Sequence, residues 1–257
     1  HGYDAGDAVT GPALPAGPQM LAAQFNAADR NGNDTTVDAM ARLWTPAHNG
    51  LSWRMTLAHK QKVAGYVQRF GWLPIEASGG LADGNIYVGN LDLEPETAWV
   101  AEAGYDYATK RAYLRPTAYV RQIDNYIQGV PVDDTVGIAD SVVEMVATMN
   151  GDPTPLMWNN VDARLYGFDV DGGYDFDGPL RVDSVFSYVR GERRDRDDNL
   201  YRIAPPSLTL DLSWEAAAWS LTLETRAVAR QDKVSATNSE QKTPGFATLS
   251  LYGDWQI

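Results

Sequence analysis

Three methionines lie close together in the sequence and are the side chains best suited to hold a metal ion. Met145 and Met149 form an M-x3-M pair, and Met157 follows shortly after. Thioether sulfur is a soft ligand that suits Cu(I) better than hard cations. Methionine also fills irregular gaps in folded proteins, so packing within a loop is the competing interpretation. The sequence thus identifies Met145, Met149 and Met157 as candidate soft-metal ligands.

The other reactive side chains form no pattern typical of a catalytic site. The histidines His1, His48 and His59 are scattered, and no HExxH, GxSxG or P-loop sequence occurs. The stretch from Asp29 to Asp34 partly resembles a calcium loop, but its glycine comes too early and the final glutamate is missing. A glycosidase would need two carboxyl groups at a fixed separation, which a sequence does not supply. We therefore predict that the chain is not an enzyme and has no bound cofactor.

Composition excludes several further classes. The 257 residues include no cysteine, so disulfides and cysteine-ligated zinc or iron–sulfur sites are excluded. There are 34 acidic and 21 basic residues, and the net charge of −13 argues against nucleic-acid binding. No run of about 20 apolar residues is present, so no transmembrane helix is predicted.

Strand-like alternation of apolar and polar residues covers most of the chain from residue 36 onward. Leu208, Leu210 and Leu212 alternate with Thr209 and Asp211, for example. A strand turns successive side chains to opposite faces, so each segment has one apolar and one polar face. The segments with this period lie near residues 36–43, 51–57, 97–107, 113–127, 160–176, 181–190, 207–215, 219–224 and 247–257. The sequence therefore predicts an all-β chain of about nine long strands.

The connections between these segments alternate in length. Short ones are predicted at residues 46–50, 108–110, 177–178 and 216–218, and long ones at residues 61–96, 128–158, 191–205 and 231–245. Transmembrane barrels have this asymmetry, with short periplasmic turns and long extracellular loops. Aromatic residues near the predicted short turns would suit a membrane interface; they are Trp44, Trp53, Trp99, Tyr105, Tyr107, Tyr174, Phe176, Trp214, Trp219 and Trp255.

Charged residues of both signs fall on the polar faces of the predicted strands. They are Arg42, Arg54, Glu102, Asp106, Arg115, Arg121, Asp169, Asp171, Arg181, Asp183, Asp211, Glu224 and Arg226. Such faces suit a water-filled or plug-filled barrel lumen. In a soluble β-sandwich the same residues would face solvent.

Three motifs resemble those of the TonB-dependent outer-membrane receptors. N-L-D-L-E-P-E-T at residues 90–97 resembles a segment that ends a long loop and opens the next strand in that family, with Leu91 where the family usually has proline. N-N-V-D-A-R-L-Y-G-F-D-V-D-G at residues 159–172 and I-A-P-P-S-L at residues 203–208 resemble two further strands, in the family's order. The resemblance covers most of residues 36–257.

The resemblance implies a transporter. Stretches at residues 70–74, 80–84, 149–155 and 188–191 are most similar to the branch known as copper receptors. The resemblance implies energised uptake of a scarce metal or metal chelate, with copper as the transported ligand. The partners that it implies are a TonB-type protein, outer-membrane lipid and further barrel strands. We expect a loop-like segment at residues 1–35 and a partial β-barrel domain at residues 36–257, with the plug domain and the closing strands outside the chain.

Two other classes share part of this pattern. A passive porin or adhesin barrel has the same alternation but lacks the motif at residues 90–97. A secreted soluble β-sandwich that binds carbohydrate or protein would also alternate, but it has no reason to keep the connections at one end short.

Overall fold

The computed structural model describes residues 2–75, 84–133, 135 and 137–255 of the chain. In chain order its elements are β1 (Gly2–Asp4), α1 (Ala16–Ala27), β2 (Asn31–Asn33), β3 (Ala39–Trp44), β4 (Leu51–Lys62), α2 (Tyr66–Phe70), β5 (Tyr87–Val88), β6 (Glu96–Ala108), β7 (Ala112–Pro131), α3 (Val142–Met149), β8 (Leu156–Asp175), β9 (Leu180–Arg193), β10 (Ser207–Glu215), β11 (Trp219–Val228) and β12 (Phe246–Trp255).

Nine of these strands form one antiparallel meander. Their order in the sheet is β12-β11-β10-β9-β8-β7-β6-β4-β3. Each of these nine strands is therefore hydrogen-bonded to the one that comes before or after it along the chain. The short strand β5 joins the same sheet by pairing in parallel with β8. Short connections join β3 to β4, β6 to β7, β8 to β9 and β10 to β11, and the connections between these pairs are long. The structure confirms the predicted meander of about nine long strands with alternating short and long connections.

The strand register separates the side chains into an apolar and a polar face. Leu212 lies opposite Val182 on one side and Leu223 on the other. The preceding residue, Asp211, lies opposite Asp183 and Glu224. Because directly opposite residues point to the same side of a sheet, these rows form continuous apolar and polar faces. The apolar side chains stay uncovered, and Leu212 keeps 41% of its surface exposed.

The aromatic residues follow the predicted pattern only in part. Trp53 contacts Tyr105 with ring centroids 5.2 Å apart, beside the short connections. Trp99 instead lies near the start of β6, after a long connection, and packs edge-on against His59 at 4.8 Å. Trp44 lies opposite Arg54 in the register and so shares its face, the polar one. The prediction that Trp99 sits at a short-turn end is wrong, because Trp99 is the fourth residue of β6 and the short connection follows the other end of that strand, at Ala108.

Contacts divide the chain into two compact units. Unit 1 contains residues His1–Val37, Gln61–Thr97 and Ile123–Asp162, and unit 2 contains Asp38–Lys60, Ala98–Gln122 and Ala163–Ile257. The boundary passes through strands β4, β6, β7 and β8, so each of these strands contributes residues to both units. Unit 2 consists mainly of the sheet.

Unit 1 contains the three helices and a small apolar core. The first 35 residues, predicted from their composition to be loop, contain the 12-residue helix α1 and the paired strands β1 and β2. The helix buries Leu21 and Phe25, and Phe25 packs with Phe70 and Ala5. Its only proline, Pro18, lies in the first turn, where no backbone donor is needed. Packing against the rest of unit 1 stabilises a helix that its short sequence would not form alone.

Helices within the described ranges are all too short, or too polar, to cross a lipid bilayer.

Candidate functional site

The three predicted methionine ligands lie on two elements of unit 1. Met145 and Met149 are one turn apart on α3 and point the same way, since residues four apart share a helix face. Both are exposed, at 47% and 69% of their surface. Met157 lies on β8, paired with Val88 of β5, and is half-buried. The structure thus places two thioethers together on an accessible helix face and the third on a neighbouring segment of the chain.

Helix α3 begins with a capping box that the sequence analysis missed. The Ser141 hydroxyl accepts from the Glu144 amide at 3.2 Å, and the Glu144 carboxylate accepts from the Ser141 amide at 3.0 Å. The pattern S-x-x-E before an apolar run was its signal in the sequence. The ligand atoms of Asp133, Asp140 and Glu144 all lie within 4.8 Å of one another. A hydrogen bond with Glu144 raises the pKa of Asp140, as expected where carboxyl groups crowd.

The other candidates from the sequence have structural partners or lie outside the described residues. His59 packs against Trp99, and His48 forms a bridge with Leu51 in the turn after β3. In the stretch resembling a calcium loop, Asp34 forms an ion pair with the buried Arg69 at 3.0 Å. His1, Asp134, most of the stretch at residues 80–84 and the last two residues, 256 and 257, are outside the described residues.

Side-chain amides join the motif at residues 90–97 to the motif at residues 159–172. Asn160 Nδ2 donates to the carbonyl oxygens of Glu94 and Asn125 at 3.0 and 2.7 Å. Asn160 Oδ1 accepts from the Glu94 amide at 2.8 Å. Asn90 Nδ2 donates to Asn159 Oδ1 at 3.0 Å. The three bonds of Asn160 satisfy backbone groups where a long connection returns to the sheet, which explains why asparagine stands at position 160.

Ion pairs cross four strands on the polar face of unit 2. Arg54 of β4 pairs with Asp106 of β6 at 2.6 Å. Arg115 of β7 lies between Asp106 at 4.0 Å and Asp171 of β8 at 3.4 Å. All four residues belong to the charged set that the sequence assigned to the polar face. Because basic and acidic residues alternate along this row, each charged group lies close to a group of opposite charge.

Three carboxylates lie side by side on the polar face of β9, β10 and β11, those of Asp183, Asp211 and Glu224. Tyr113 Oη donates to Asp183 at 2.6 Å, and Arg181 Nε donates to the same carboxylate at 2.6 Å. Asp211 lies between Asp183 and Glu224 in the register. Its Oδ1 is buried and has no hydrogen-bond partner among the described residues.

Asp198 organises the two long connections that follow β9 and β11. Its Oδ1 accepts from the amides of Ala236 and Asn199, both at 2.8 Å. Its Oδ2 accepts from the Thr237 amide at 3.0 Å and from the Ser235 hydroxyl at 3.1 Å. Burial raises the pKa of Asp198, but the hydrogen bonds from Thr237, Ala236 and Asn199 outweigh it and lower the pKa to about 2. The charged carboxylate is therefore the form that holds these loops together.

A family comparison identifies the class of protein. A sequence model described as TonB dependent receptor-like, beta-barrel matches residues 6–257, which is nearly the whole chain. The chain belongs to the TonB-dependent receptor family. The match includes most of the N-terminal segment, for which the motifs gave no assignment. TonB-dependent receptors are transporters, so the prediction that the chain is not an enzyme is confirmed.

Solved structures of TonB-dependent receptors have the same fold. The copper transporter OprC superposes with a TM-score of 0.70 at 21% identity, over 87% of this chain and 32% of that one. The siderophore receptor PirA from Acinetobacter baumannii gives a TM-score of 0.60 at 15% identity, over 85% of this chain and 34% of that one. A mutant of the ferric enterobactin receptor PfeA from Pseudomonas aeruginosa gives 0.61 at 17% identity, over 86% and 32%.

The chain spans about a third of the length of these receptors. No curated protein sequence matched the chain. The likeness to the solved receptors shows the fold of a partial receptor barrel, as the sequence predicted.

Proposed function

We propose that this chain forms wall strands and long loops of an outer-membrane receptor that takes up a scarce metal ion or metal chelate. The observation that carries this proposal is the two-faced sheet of unit 2, with leucine, valine and tryptophan on one face and paired charges on the other. In a receptor barrel the apolar face contacts lipid and the charged face lines the lumen. Family membership supports the same arrangement.

The partners of the whole receptor follow from this arrangement. The edge strands β3 and β12 each have one side without a sheet neighbour among the described residues. Unpaired backbone groups are costly in lipid, so further barrel strands would cover these edges. A TonB-type protein would supply energy through a plug domain, and the outer-membrane lipid would surround the wall. We expect no nucleic-acid partner, because the net charge of the chain is −13.

For the transported ligand we propose copper, with Met145 and Met149 on an entry path. Two exposed thioethers one helical turn apart offer a soft site that hard cations would not prefer. Met157 extends the set to the start of β8. Among the similar structures, OprC is a copper transporter. The proposal rests on the thioether pair of α3.

Copper binding by the full-length receptor tests this ligand. Purified receptor is titrated with Cu(I) under reducing conditions, and the same measurement is made on Met145→Leu/Met149→Leu. Met55→Leu is the matched control, because Met55 is an exposed methionine on the apolar face of β4 and belongs to unit 2, whereas α3 belongs to unit 1. We expect the double variant to bind Cu(I) about 10-fold or more weakly and the control to be unchanged, since each thioether lost removes a ligand. Equal Cu(I) affinity in all three proteins would remove α3 from the copper path.

A further inference from the structure

A shallow apolar groove of about 320 Å³ crosses strands β4, β6 and β7 on the sheet of unit 2. Five apolar residues line it: Met55 on β4, Ala101 and Ala103 on β6, and Ala118 and Val120 on β7. The two other lining residues, Glu102 and Tyr119, alternate with these along their strands, so their side chains point to the opposite face. The side chains that reach the groove from the described strands are therefore all apolar.

Contacts on the other side of the sheet fix the face on which the groove lies. Arg54 of β4 pairs with Asp106 of β6 at 2.6 Å and also binds the hydroxyl of Thr117 on β7, so these three side chains share the polar face. Met55 follows Arg54, and Ala103 precedes Asp106 by three residues. The lining residues of β7 likewise lie an odd number of residues from Thr117. Because successive side chains of a strand point to opposite faces, the groove lies on the apolar face.

The groove exists because alanines meet where the surrounding face carries larger side chains. Trp99 and Tyr105 lie on the same face of β6, two residues beyond either end of its alanine pair. The segment from Trp99 to Tyr105 extends about 20 Å along the strand, and a tilt of about 45° reduces this to about 14 Å of membrane depth. That depth is about one leaflet of a hydrocarbon core that is about 30 Å thick.

A lipid acyl chain fits this groove better than a protein partner does. A stable protein interface uses about 20–30 residues from each side and carries about one hydrogen bond per 100–200 Å². The groove offers five side chains within the described strands, and all five are apolar. A hydrocarbon chain needs no hydrogen-bond partner. The alanines let such a chain approach the main chain and contact atoms of neighbouring strands.

We propose that the groove holds one acyl chain of an outer-membrane lipid in a fixed position. This rests on the proposed function, in which lipid contacts the apolar face of the sheet, and goes further by placing one chain at one site. On β10 the same face carries the row Leu208, Leu210 and Leu212, where lipid would contact the tips of the side chains and exchange freely. A chain in the groove gains dispersion contacts with the floor and the walls, so it stays longer.

Photo-crosslinking of the full-length receptor in lipid vesicles tests this site. The probe is a phosphatidylcholine that carries a diazirine midway along one acyl chain, and mass spectrometry locates the labelled residues. We expect residues 101–103 and 118–120 to be labelled about 10-fold more than residues 208–212, because roughly ten added contacts between carbon atoms give that preference. Ala101→Leu/Ala103→Leu fills the groove and should lower its labelling to the level of β10.

Ala227→Leu/Ala247→Leu is the matched control. These two alanines lie opposite each other on β11 and β12, and Ala227 also lies opposite Leu208, so both are on the apolar face. The same added volume at these positions should leave the labelling of the groove unchanged. If the double variant of β6 does not fold into vesicles, Ala103→Leu alone makes the same test and should also lower the labelling of the groove.

Equal labelling of the groove and of β10 in the wild type would overturn the proposal, as would unchanged labelling of the groove after it is filled. Labelling of the groove below that of β10 would also overturn it, because protein, such as a second copy of the chain, would then cover the groove. A wild type without label on β10 would contradict the proposed function itself. The failure of that function is thus distinguishable from the failure of this site alone.

Discussion

The most informative single substitution removes one oxygen of Asp198. In Asp198→Asn one side-chain oxygen can still accept from the Ala236 and Asn199 amides. The new amide group then faces the Thr237 amide and the Ser235 hydroxyl, which donate at 3.0 and 3.1 Å in the wild type. The Thr237 amide loses its acceptor, and the buried Ser235 hydroxyl keeps only Asn238 Oδ1, which lies at 3.0 Å.

The size of the effect follows from these contacts. A hydrogen bond to a charged group contributes about 1.5–3 kcal/mol; the bond from Thr237 is lost, and the bonds from Ala236 and Asn199 no longer end on a charged oxygen. We allow for relaxation of the exposed part of the loop and expect the connection after β11 to be destabilised by about 3 kcal/mol. That corresponds to an increase of about 100-fold in the population of the opened loop.

Hydrogen exchange measured by mass spectrometry on the full-length receptor reads this opening directly. Peptides covering residues 229–245 should exchange about 100-fold faster in Asp198→Asn, and strands β10 and β11 should stay protected. Asp232→Asn is the matched control, because Asp232 lies in the same connection but its side chain pairs with the exposed Arg230. Unchanged exchange in Asp198→Asn, or equal acceleration in Asp232→Asn, would refute the role given to Asp198.

Three further predictions use the same logic. The pKa of Asp198 is lowered from its ordinary value of 3.8 to about 2, so the stabilisation of the loops by its carboxylate is complete above pH 3.8 and is lost as the pH falls toward 2. In the wild type, hydrogen exchange at residues 235–237, corrected for intrinsic rates, should therefore rise between pH 3.8 and pH 2. The Asp198→Asn variant should show no such rise. Asn160→Ala should speed exchange of the Glu94 amide about 10-fold, and normal protection there would contradict the amide network. Leu212→Arg should cost about 2–4 kcal/mol in folding into lipid vesicles, whereas Ser213→Arg on the polar face should cost much less; equal costs would contradict the assignment of the two faces.

The wall of this fold was predictable because its signal is local. Alternation in residues 207–215 predicts β10 with the bounds that the structure gives, since each apolar or polar side chain reports its own face. The charged residues of the polar face follow from the same parity. Helix α1 was not predictable in full, because its stability comes from burying Leu21 and Phe25 against distant residues.

The candidate sites were predictable only in their residue types. Methionine chemistry identified Met145 and Met149, but their exposure on α3 depends on how the connection after β7 folds. The motif at residues 90–97 identified the family, yet its bond to Asn160 joins positions far apart in the sequence.

Membrane embedding of the sheet is the central claim, and site-directed spin labelling tests it most directly. The chain has no cysteine, so single cysteines can be placed at residues 207–214 in a cysteine-free full-length receptor and spin-labelled in vesicles. The account predicts that accessibility to oxygen peaks at residues 208, 210 and 212, and that accessibility to a polar nickel chelate is lowest there. Contact of these same positions with the nickel chelate, or oxygen accessibility without a period of two, would contradict the assignment of this face to lipid.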